Sequence, residues 1–143
     1  MHQTFSAEQL KEALHYEANT FASVVLYNEG GGKFKAVPLP TLAQISPIKG
    51  IVVDDIDGDG NPDLVIAGNM FDVEPVTAPA DAGNGLWLRG DGRGNFTPIH
   101  PAQSGLLAPG NVSGLVLATG AAGKALIVAN AHDSVQTFRI ANQ

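Results

Sequence analysis

The sequence has no cysteine, no long hydrophobic run and few basic residues, and each absence excludes a class of protein. Without cysteine, neither a disulfide framework nor a thiolate metal site can form. No apolar run approaches the ~18–20 residues that a helix needs to span a bilayer. Lysine and arginine number 8 against 14 aspartates and glutamates, which gives a net charge of −6. A nucleic-acid partner, which requires a basic face, is therefore not expected.

What the sequence does contain is typical of one globular domain. Of its 143 residues, 44% are hydrophobic and 15% are charged, which argues against disorder. The 17 glycines and 9 prolines follow no collagen period and read as turns between many short strands. The amino terminus is polar and lacks the apolar centre of a signal peptide. We therefore expect a mature chain, a fragment, or a protein that is not exported by that route.

The periodicity of apolar residues predicts one short helix followed by strands. Ser6 and Gln9 fit a capping box, and Leu10 and Leu14 recur at helical spacing. A helix over residues 7–16 should therefore place both leucines on a sheet or cover a sheet edge. Short apolar runs between glycine-rich turns then indicate β-strands. The predicted strands cover residues 21–28, 33–39, 48–54, 64–68, 86–88, 96–99, 112–118, 125–129 and 135–140.

Two features recur at nearly the same interval. Glycine-rich turns end at Phe34 and at Phe96, 62 positions apart, and the strands that start at Ile51 and Val112 are 61 positions apart. Such a period, with about four strands per unit, is typical of propeller blades. The units would hold two, four and three strands, so only the middle blade is complete. An ordinary β-sandwich with similar hairpins is the alternative.

The acidic loop, residues 55–63 (DIDGDGNPD), carries the strongest functional signal. Calcium prefers six to eight oxygen ligands at flexible geometry, and alternating aspartates in a tightly curled loop can point their carboxylates inward. Glycines at positions 58 and 60 permit the backbone angles of that curl. The predicted ligands are Asp55, Asp57, Asp59, Asn61 and Asp63, with Asn61 acting through its backbone carbonyl.

Other interpretations of the loop are weaker. An EF-hand needs an acid at its twelfth position, which here is Ile66 inside a strand pattern. Magnesium demands stricter octahedral geometry, and zinc would require histidine or cysteine. A plain surface turn would leave four carboxylates within nine residues repelling one another at neutral pH. We therefore expect a strand–loop–strand calcium site.

This loop resembles the calcium loop of FG-GAP or VCBS repeats, as in integrin α-chain propellers and many bacterial surface proteins. The segments 28–34, 46–52 and 90–92 also resemble the carboxyl-terminal part of bacterial VCBS-repeat proteins of the ASPIC/UnbV type, over residues 19–140. The resemblance implies a β-propeller, an extracellular or periplasmic location, and binding or cell adhesion. The sequence departs from the pattern because the first unit lacks the acidic loop, the third has Gly-Ala-Ala-Gly there, and too few blades are present to close a propeller.

The expected fold is all-β with propeller-like blades and one amino-terminal helix. Residues 1–143 would form one domain: a helical segment 1–18, a partial blade 19–47, a complete blade 48–101 with the calcium loop, and a partial blade 111–141. Partial blades leave strand edges open, which favours self-association. A larger propeller of which this chain is a structural fragment is the other possibility.

No catalytic constellation is recognised, so we expect a calcium-stabilised module that binds a protein or carbohydrate ligand rather than an enzyme. The alternative is a calcium-dependent hydrolase that uses the ion or the long loop 70–84. His132, Asp133 and Ser134 are adjacent, but adjacency in sequence does not make a catalytic triad. The segment 120–124 lacks the first glycine and the Ser or Thr of a phosphate loop. Trp87 is expected to pack between blades, with carbohydrate stacking as the alternative.

Overall fold

The computed structural model describes residues 5–141. Short strands separated by glycine-rich turns dominate, as the composition predicts. The helices are α1 (Ala7–Lys11), a 3-10 helix (Thr41–Gln44) and α2 (Pro101–Ser104). The strands are β1 (Val24–Gly30), β2 (Lys33–Pro38), β3 (Gly50–Asp54), β4 (Asp63–Ala67), β5 (Leu86–Gly90), β6 (Phe96–Ile99), β7 (Val112–Gly120), β8 (Gly123–Asn130) and β9 (Gln136–Arg139).

The strands form three antiparallel sheets. Sheet I contains β1 and β2, sheet II has the order β3-β4-β5-β6, and sheet III has the order β7-β8-β9. The all-β fold is thereby confirmed, and so is the division into two, four and three strands. All nine predicted strands are present; the largest shift is at the first, which begins at Val24 rather than at position 21.

Sheet II lies between the other two sheets, and each of its faces has its own apolar core. One core joins sheet II to sheet III through Val52, Val65, Leu115, Leu126 and Val128, each less than a tenth exposed. The other joins sheet II to sheet I and the 3-10 helix. Its buried members are Leu39, Ala43, Ile66, Leu86 and Leu88. Burial on both faces explains why β4 reads as a continuous apolar run.

A hydrogen bond between side chain and backbone also ties sheet I to sheet II. The Tyr27 hydroxyl, on β1, donates to the Gly94 carbonyl oxygen at 2.7 Å, in the turn between β5 and β6. The two sheets are therefore joined at their turn ends as well as through the apolar core.

The helices differ from the sequence prediction. Ser6 and Gln9 do form the capping box, but α1 ends at Lys11 instead of continuing to position 16. Leu14 and Tyr16 are 82% and 86% exposed, so the expectation that Leu14 packs on a sheet is wrong. Without a packed apolar face, a helix this short has little to sustain a further turn. The second helix, α2, lies in a segment that was expected to be a plain connection.

Within residues 5–141, no helix combines the length and the apolar character needed to cross a bilayer.

Candidate metal centre

The acidic loop connects β3 to β4 and is closed by the cross-strand pair Asp54 and Asp63. Gly58 and Gly60 adopt φ values of 78° and 85°. This left-handed region suits glycine because it has no Cβ. The two glycines therefore allow the chain to reverse twice within the loop, as the sequence predicted.

Asp63 is the most firmly held carboxylate of the site. Its side chain is fully buried, and three N–H groups donate to it. Oδ1 accepts from the Gly90 amide at 2.7 Å. Oδ2 accepts from the Trp87 indole at 3.0 Å and from the Ile56 amide at 3.2 Å. Because these donors belong to β5 and to the loop, Asp63 holds the loop against sheet II.

The other aspartates curl the loop by accepting backbone N–H groups further along it. Asp55 accepts from Gly58 at 2.8 Å through Oδ1 and from Gly60 at 2.9 Å through Oδ2. Asp57 accepts from the Asp59 amide and Asp59 accepts from the Asn61 amide, each two residues on. These are Asx turns, in which the side chain replaces a backbone acceptor.

The curl brings three carboxylates together. One oxygen each from Asp55, Asp57 and Asp63 lies within 4.8 Å of the other two. Calcium binds oxygen at 2.3–2.6 Å, so oxygens on opposite sides of one ion are separated by up to about 5 Å. The three oxygens therefore fit around a single hard cation. Among residues 5–141 this acidic triad is the one group of acids, histidines or cysteines with such spacing.

The other two predicted ligands, Asp59 and Asn61, lie outside the acidic triad. The Asn61 backbone N–H, which donates to Asp59, holds the pKa of that carboxyl below its usual range, with a smaller contribution from Arg89. The Asn61 side chain packs so closely on Gly92 that a Cβ there would collide with its Oδ1. The structure thus gathers three of the five predicted residues.

Arg89, on β5, is the residue near the acidic triad that the sequence analysis missed. Its Nε lies 2.6 Å from Asp57 Oδ2, and its Nη2 lies 3.1 Å from Asp59 Oδ2. One guanidinium therefore neutralises part of the charge of two loop aspartates. The sequence carried no signal for this contact, because it depends on the observed register, in which Leu64 pairs with Leu88 and position 89 lies opposite position 63.

Lys124 is a second missed residue and comes from sheet III. Its Nζ lies 2.7 Å from Asp54 Oδ1 and donates to the Asp55 carbonyl oxygen at 3.2 Å. The sequence of the segment 120–124 predicts a turn that lacks both the acidic loop and the residues of a phosphate loop. The structure places its lysine at the entrance to the acidic loop, where it links sheet III to the hairpin of sheet II.

A cleft of about 500 Å³ opens beside the acidic triad, between sheets II and III. Its walls include Asp57 from the acidic loop, Trp87 from β5, and Phe138 and Arg139 from β9. Trp87 packs against the apolar core between the two sheets, in agreement with the expected role of this residue. The cleft places aromatic, acidic and basic side chains around one space.

The remaining candidate catalytic residues, His132, Asp133 and Ser134, lie in the turn between β8 and β9. The Asp133 carboxylate accepts the Ser134 backbone N–H at 2.6 Å. This local contact shapes the turn.

Comparison with known proteins gives one family match. The family model of an FG-GAP-like repeat matches residues 18–66. No curated protein and no solved structure gave a significant match.

The matched segment runs from the β1–β2 hairpin of sheet I through the β3–β4 hairpin of sheet II. It crosses position 47, where the sequence analysis had ended its first blade. It also contains the whole acidic loop with its three converging carboxylates, as the resemblance had suggested. Residues 18–66 of this chain are therefore similar to an FG-GAP-like repeat.

Proposed function

We propose that this chain is a calcium-binding FG-GAP-type β-repeat module in which the ion has a structural role. The observation that carries the proposal is the acidic triad, where one buried and two partly buried carboxylates converge within 4.8 Å. Carboxylate oxygens are the ligands that hard cations prefer, and a curled, glycine-containing loop suits the flexible coordination of calcium better than the strict octahedron of magnesium.

Asp55, Asp57 and Asp63 would hold the ion, and Asp59 and Asn61 would complete its oxygen ligands. Asp63 is already fixed by three donors, so it would contribute a pre-positioned oxygen at little cost in entropy. Asp59 is partly exposed and paired with Arg89, so its participation requires a small rearrangement. The bound ion would supply positive charge that relieves the repulsion among the aspartates.

The proposed role is to lock the loop rather than to activate a substrate. Extracellular calcium modules bind the ion at about 10⁻⁴–10⁻³ M, and this range suits a small loop with one aspartate, Asp59, at the surface. We accordingly place the protein outside the cytoplasm, in an extracellular or periplasmic setting, where it would serve binding or adhesion.

The cleft beside the acidic triad is the proposed ligand site, and a carbohydrate is the class it favours. Trp87 offers an aromatic face, while Asp57 and Arg139 offer hydrogen-bonding groups on the same walls. The test is titration with a panel of mono- and disaccharides. A binding sugar should change the backbone NMR chemical shifts of the residues that line the cleft. Unchanged spectra across the panel would leave a protein ligand as the remaining candidate.

The test of calcium binding is thermal unfolding in calcium, in magnesium and in a chelator. At a calcium concentration 100 times Kd, linkage predicts about 2.7 kcal/mol of stabilisation. For a chain of this length that raises Tm by roughly 5–11 °C. Asp55→Asn should remove about half of this shift or more, since a tenfold weaker affinity lowers the stabilisation to about 1.4 kcal/mol. The matched control is Asp91→Asn, in the exposed turn between β5 and β6, which should keep it. A wild-type Tm that is the same in calcium and in chelator would refute the proposal.

A further inference from the structure

The acidic triad and the cleft beside it share part of their structure. Asp57 belongs to the triad and also lines the cleft. Ile56 and Trp87 line the cleft too, and their N–H groups donate to Asp63, the buried member of the triad. One part of the cleft wall is therefore made of the residues that hold the carboxylates in place, and the two sites touch directly.

The side of the cleft formed by the acidic loop is strongly negative. The loop contributes four carboxylates, those of Asp55, Asp57, Asp59 and Asp63. One guanidinium, that of Arg89, accompanies them, and Asp54 just before the loop is paired with Lys124. Four negative charges against one positive charge leave a formal charge of −3, and the two positive charges of a calcium ion would leave −1. An anionic ligand in the cleft is therefore repelled much less when the cation is present.

Arg139 is the basic residue of the cleft wall. It lies on β9, is exposed, and forms no ion pair with any residue from 5 to 141. The acidic residue of the wall, Asp57, is already engaged, because its side chain is only 6% exposed and its Oδ2 lies 2.6 Å from Arg89 Nε. The charge that remains for a ligand inside the cleft is therefore the positive charge of Arg139.

The uncharged part of the cleft suits a sugar ring. Trp87 from sheet II and Phe138 from sheet III offer aromatic surfaces. Ser104 and Thr137 offer hydroxyl groups, which both donate and accept hydrogen bonds as the hydroxyls of a sugar do. The volume of about 500 Å³ lies within the range of roughly 300–1,000 Å³ for small-molecule sites. A sugar that carries a carboxylate would combine these contacts with a bidentate ion pair to Arg139.

We propose that the cleft binds a carboxylate-bearing sugar and that the cation held by the acidic triad strengthens this binding, an inference that rests on the proposed calcium site. Asp57 couples the two binding events, because it belongs to both sites. Such coupling is reciprocal, so the sugar must raise the affinity for calcium by the same factor by which calcium raises the affinity for the sugar. Couplings between two sites are typically about 5–150-fold, and we expect at least about fivefold here.

Two matched pairs of sugars test this coupling. Methyl glucuronoside and methyl glucoside differ only in a carboxylate in place of a CH₂OH group, and so do methyl galacturonoside and methyl galactoside. Each sugar is titrated into the wild-type chain in calcium and in chelator, and Kd is taken from the backbone NMR shifts of cleft residues such as Phe138. We expect at least one acidic sugar to bind about fivefold or more tightly in calcium than in chelator, and its neutral counterpart to bind equally in both.

Arg139→Gln separates the charge of the cleft from its shape. The variant keeps a long polar side chain at an exposed position of β9, so its unfolding midpoint in chelator should equal that of the wild type. We expect it to lose the preference for the acidic sugar, so that both members of each pair bind alike. The matched control is Arg93→Gln, at an exposed arginine that lies in the turn between β5 and β6 and outside the cleft wall; it should retain the preference.

The calcium site and the coupling fail in different ways. If calcium raises Tm but no sugar shifts the cleft resonances, or the acidic sugar binds equally in calcium and in chelator, the coupling is refuted and the calcium site stands. If calcium does not raise Tm, the proposed calcium site fails and the coupling fails with it. A preference for the acidic sugar that persists in Arg139→Gln would show that Arg139 does not bind the carboxylate, and it would overturn the assignment of the cleft.

Discussion

The β3–β4 and β7–β8 hairpins have nearly the same strands but different connections. Both pair glycine with alanine and valine with a β-branched residue. The first is closed by Asp54 and Asp63 with residues 55–62 between them, whereas the second is closed by Gly120 and Gly123 with only Ala121 and Ala122 between. Pairing of such strands therefore does not require an acidic loop.

Basic residues neutralise part of the negative charge of the first hairpin, and one of them belongs to the second hairpin. Lys124, next to the short turn, lies against Asp54, while Arg89 lies against Asp57 and Asp59. These basic groups sit at the rim of the loop. The acidic triad at its centre has only N–H donors and one side of that guanidinium for compensation, and this is the charge distribution that a cation would complete.

Asp63→Ala should produce the largest change, because it removes from the first residue of β4 a carboxylate that the counterpart in β8, Gly123, does not have. The substitution leaves the Gly90, Trp87 and Ile56 N–H groups without their acceptor. We expect a loss of about 3–5 kcal/mol in the free energy of unfolding, since each unsatisfied buried donor costs about 1–3 kcal/mol and water can reach part of the site. Urea denaturation measures it. Asp81→Ala, at an exposed loop position, is the control and should change stability by less than about 0.5 kcal/mol. Equal stability of both variants would mean that Asp63 is not the anchor of the loop.

Replacing residues 55–62 by Asn-Gly should turn the first hairpin into a likeness of the second. A two-residue type I′ turn joins antiparallel strands without strain, so the sheet should persist at a cost of about 1–2 kcal/mol from the lost packing of Ile56. The calcium-dependent rise in Tm should vanish. If the shortened chain retains that rise, the ion binds elsewhere.

Asp55→Asn sharpens the comparison by removing charge without shortening the loop. Ligand charge tunes the affinity of calcium sites, so we expect calcium affinity to fall by about tenfold or more, as measured by isothermal titration calorimetry. Asp54→Asn is the control one residue away, outside the acidic triad and paired with Lys124. A similar loss in both variants would show that net charge, and not the geometry of the triad, governs binding.

Lowering the pH should have the smallest effect on stability, and this effect should arise at Asp59 in the acidic loop and at Asp91 in the turn between β5 and β6. Side-chain and backbone donors of Asn95 hold the pKa of Asp91 below its usual value, and the Asn61 amide does the same for Asp59. A folded-state pKa below the unfolded value stabilises the protein above the unfolded pKa, and this stabilisation is lost as the pH falls through the folded pKa. Both contributions should therefore be intact above about pH 4 and disappear below it. Carboxyl NMR titration of Asp59 and Asp91 tests this, and values at or above about 3.9 would contradict it.

The strands and the existence of the loop were predictable because their signals are local. Alternating apolar residues, glycine turns and the Ser6–Gln9 capping box each act within a few residues. The contacts of Asp63 with Trp87 and Gly90 were not predictable, since they depend on how β4 pairs with β5. Sequence spacing alone predicted Asp59 and Asp63 equally as metal ligands. In the structure, Asp59 pairs with Arg89 near the surface, whereas Asp63 is buried.

The helices were predicted less well than the strands for a similar reason. The leucine spacing that predicted a longer α1 has no surface to pack on, because Leu14 is exposed. In α2, Pro101 at the first position and a left-handed Gly105 after the last were visible signals. The helix itself, Pro101–Ser104, has only four residues, which is too few for a periodic pattern.

The hydrogen bond from Trp87 to Asp63 gives the protein a built-in optical probe. The chain has a single tryptophan, and its indole N–H donates to the most buried carboxylate of the acidic triad. Any ion that draws electron density from that carboxylate alters the surroundings of the indole. The intrinsic fluorescence of an unlabelled sample should therefore track occupancy of the loop in real time, which makes stopped-flow rates of ion entry and release accessible without a dye.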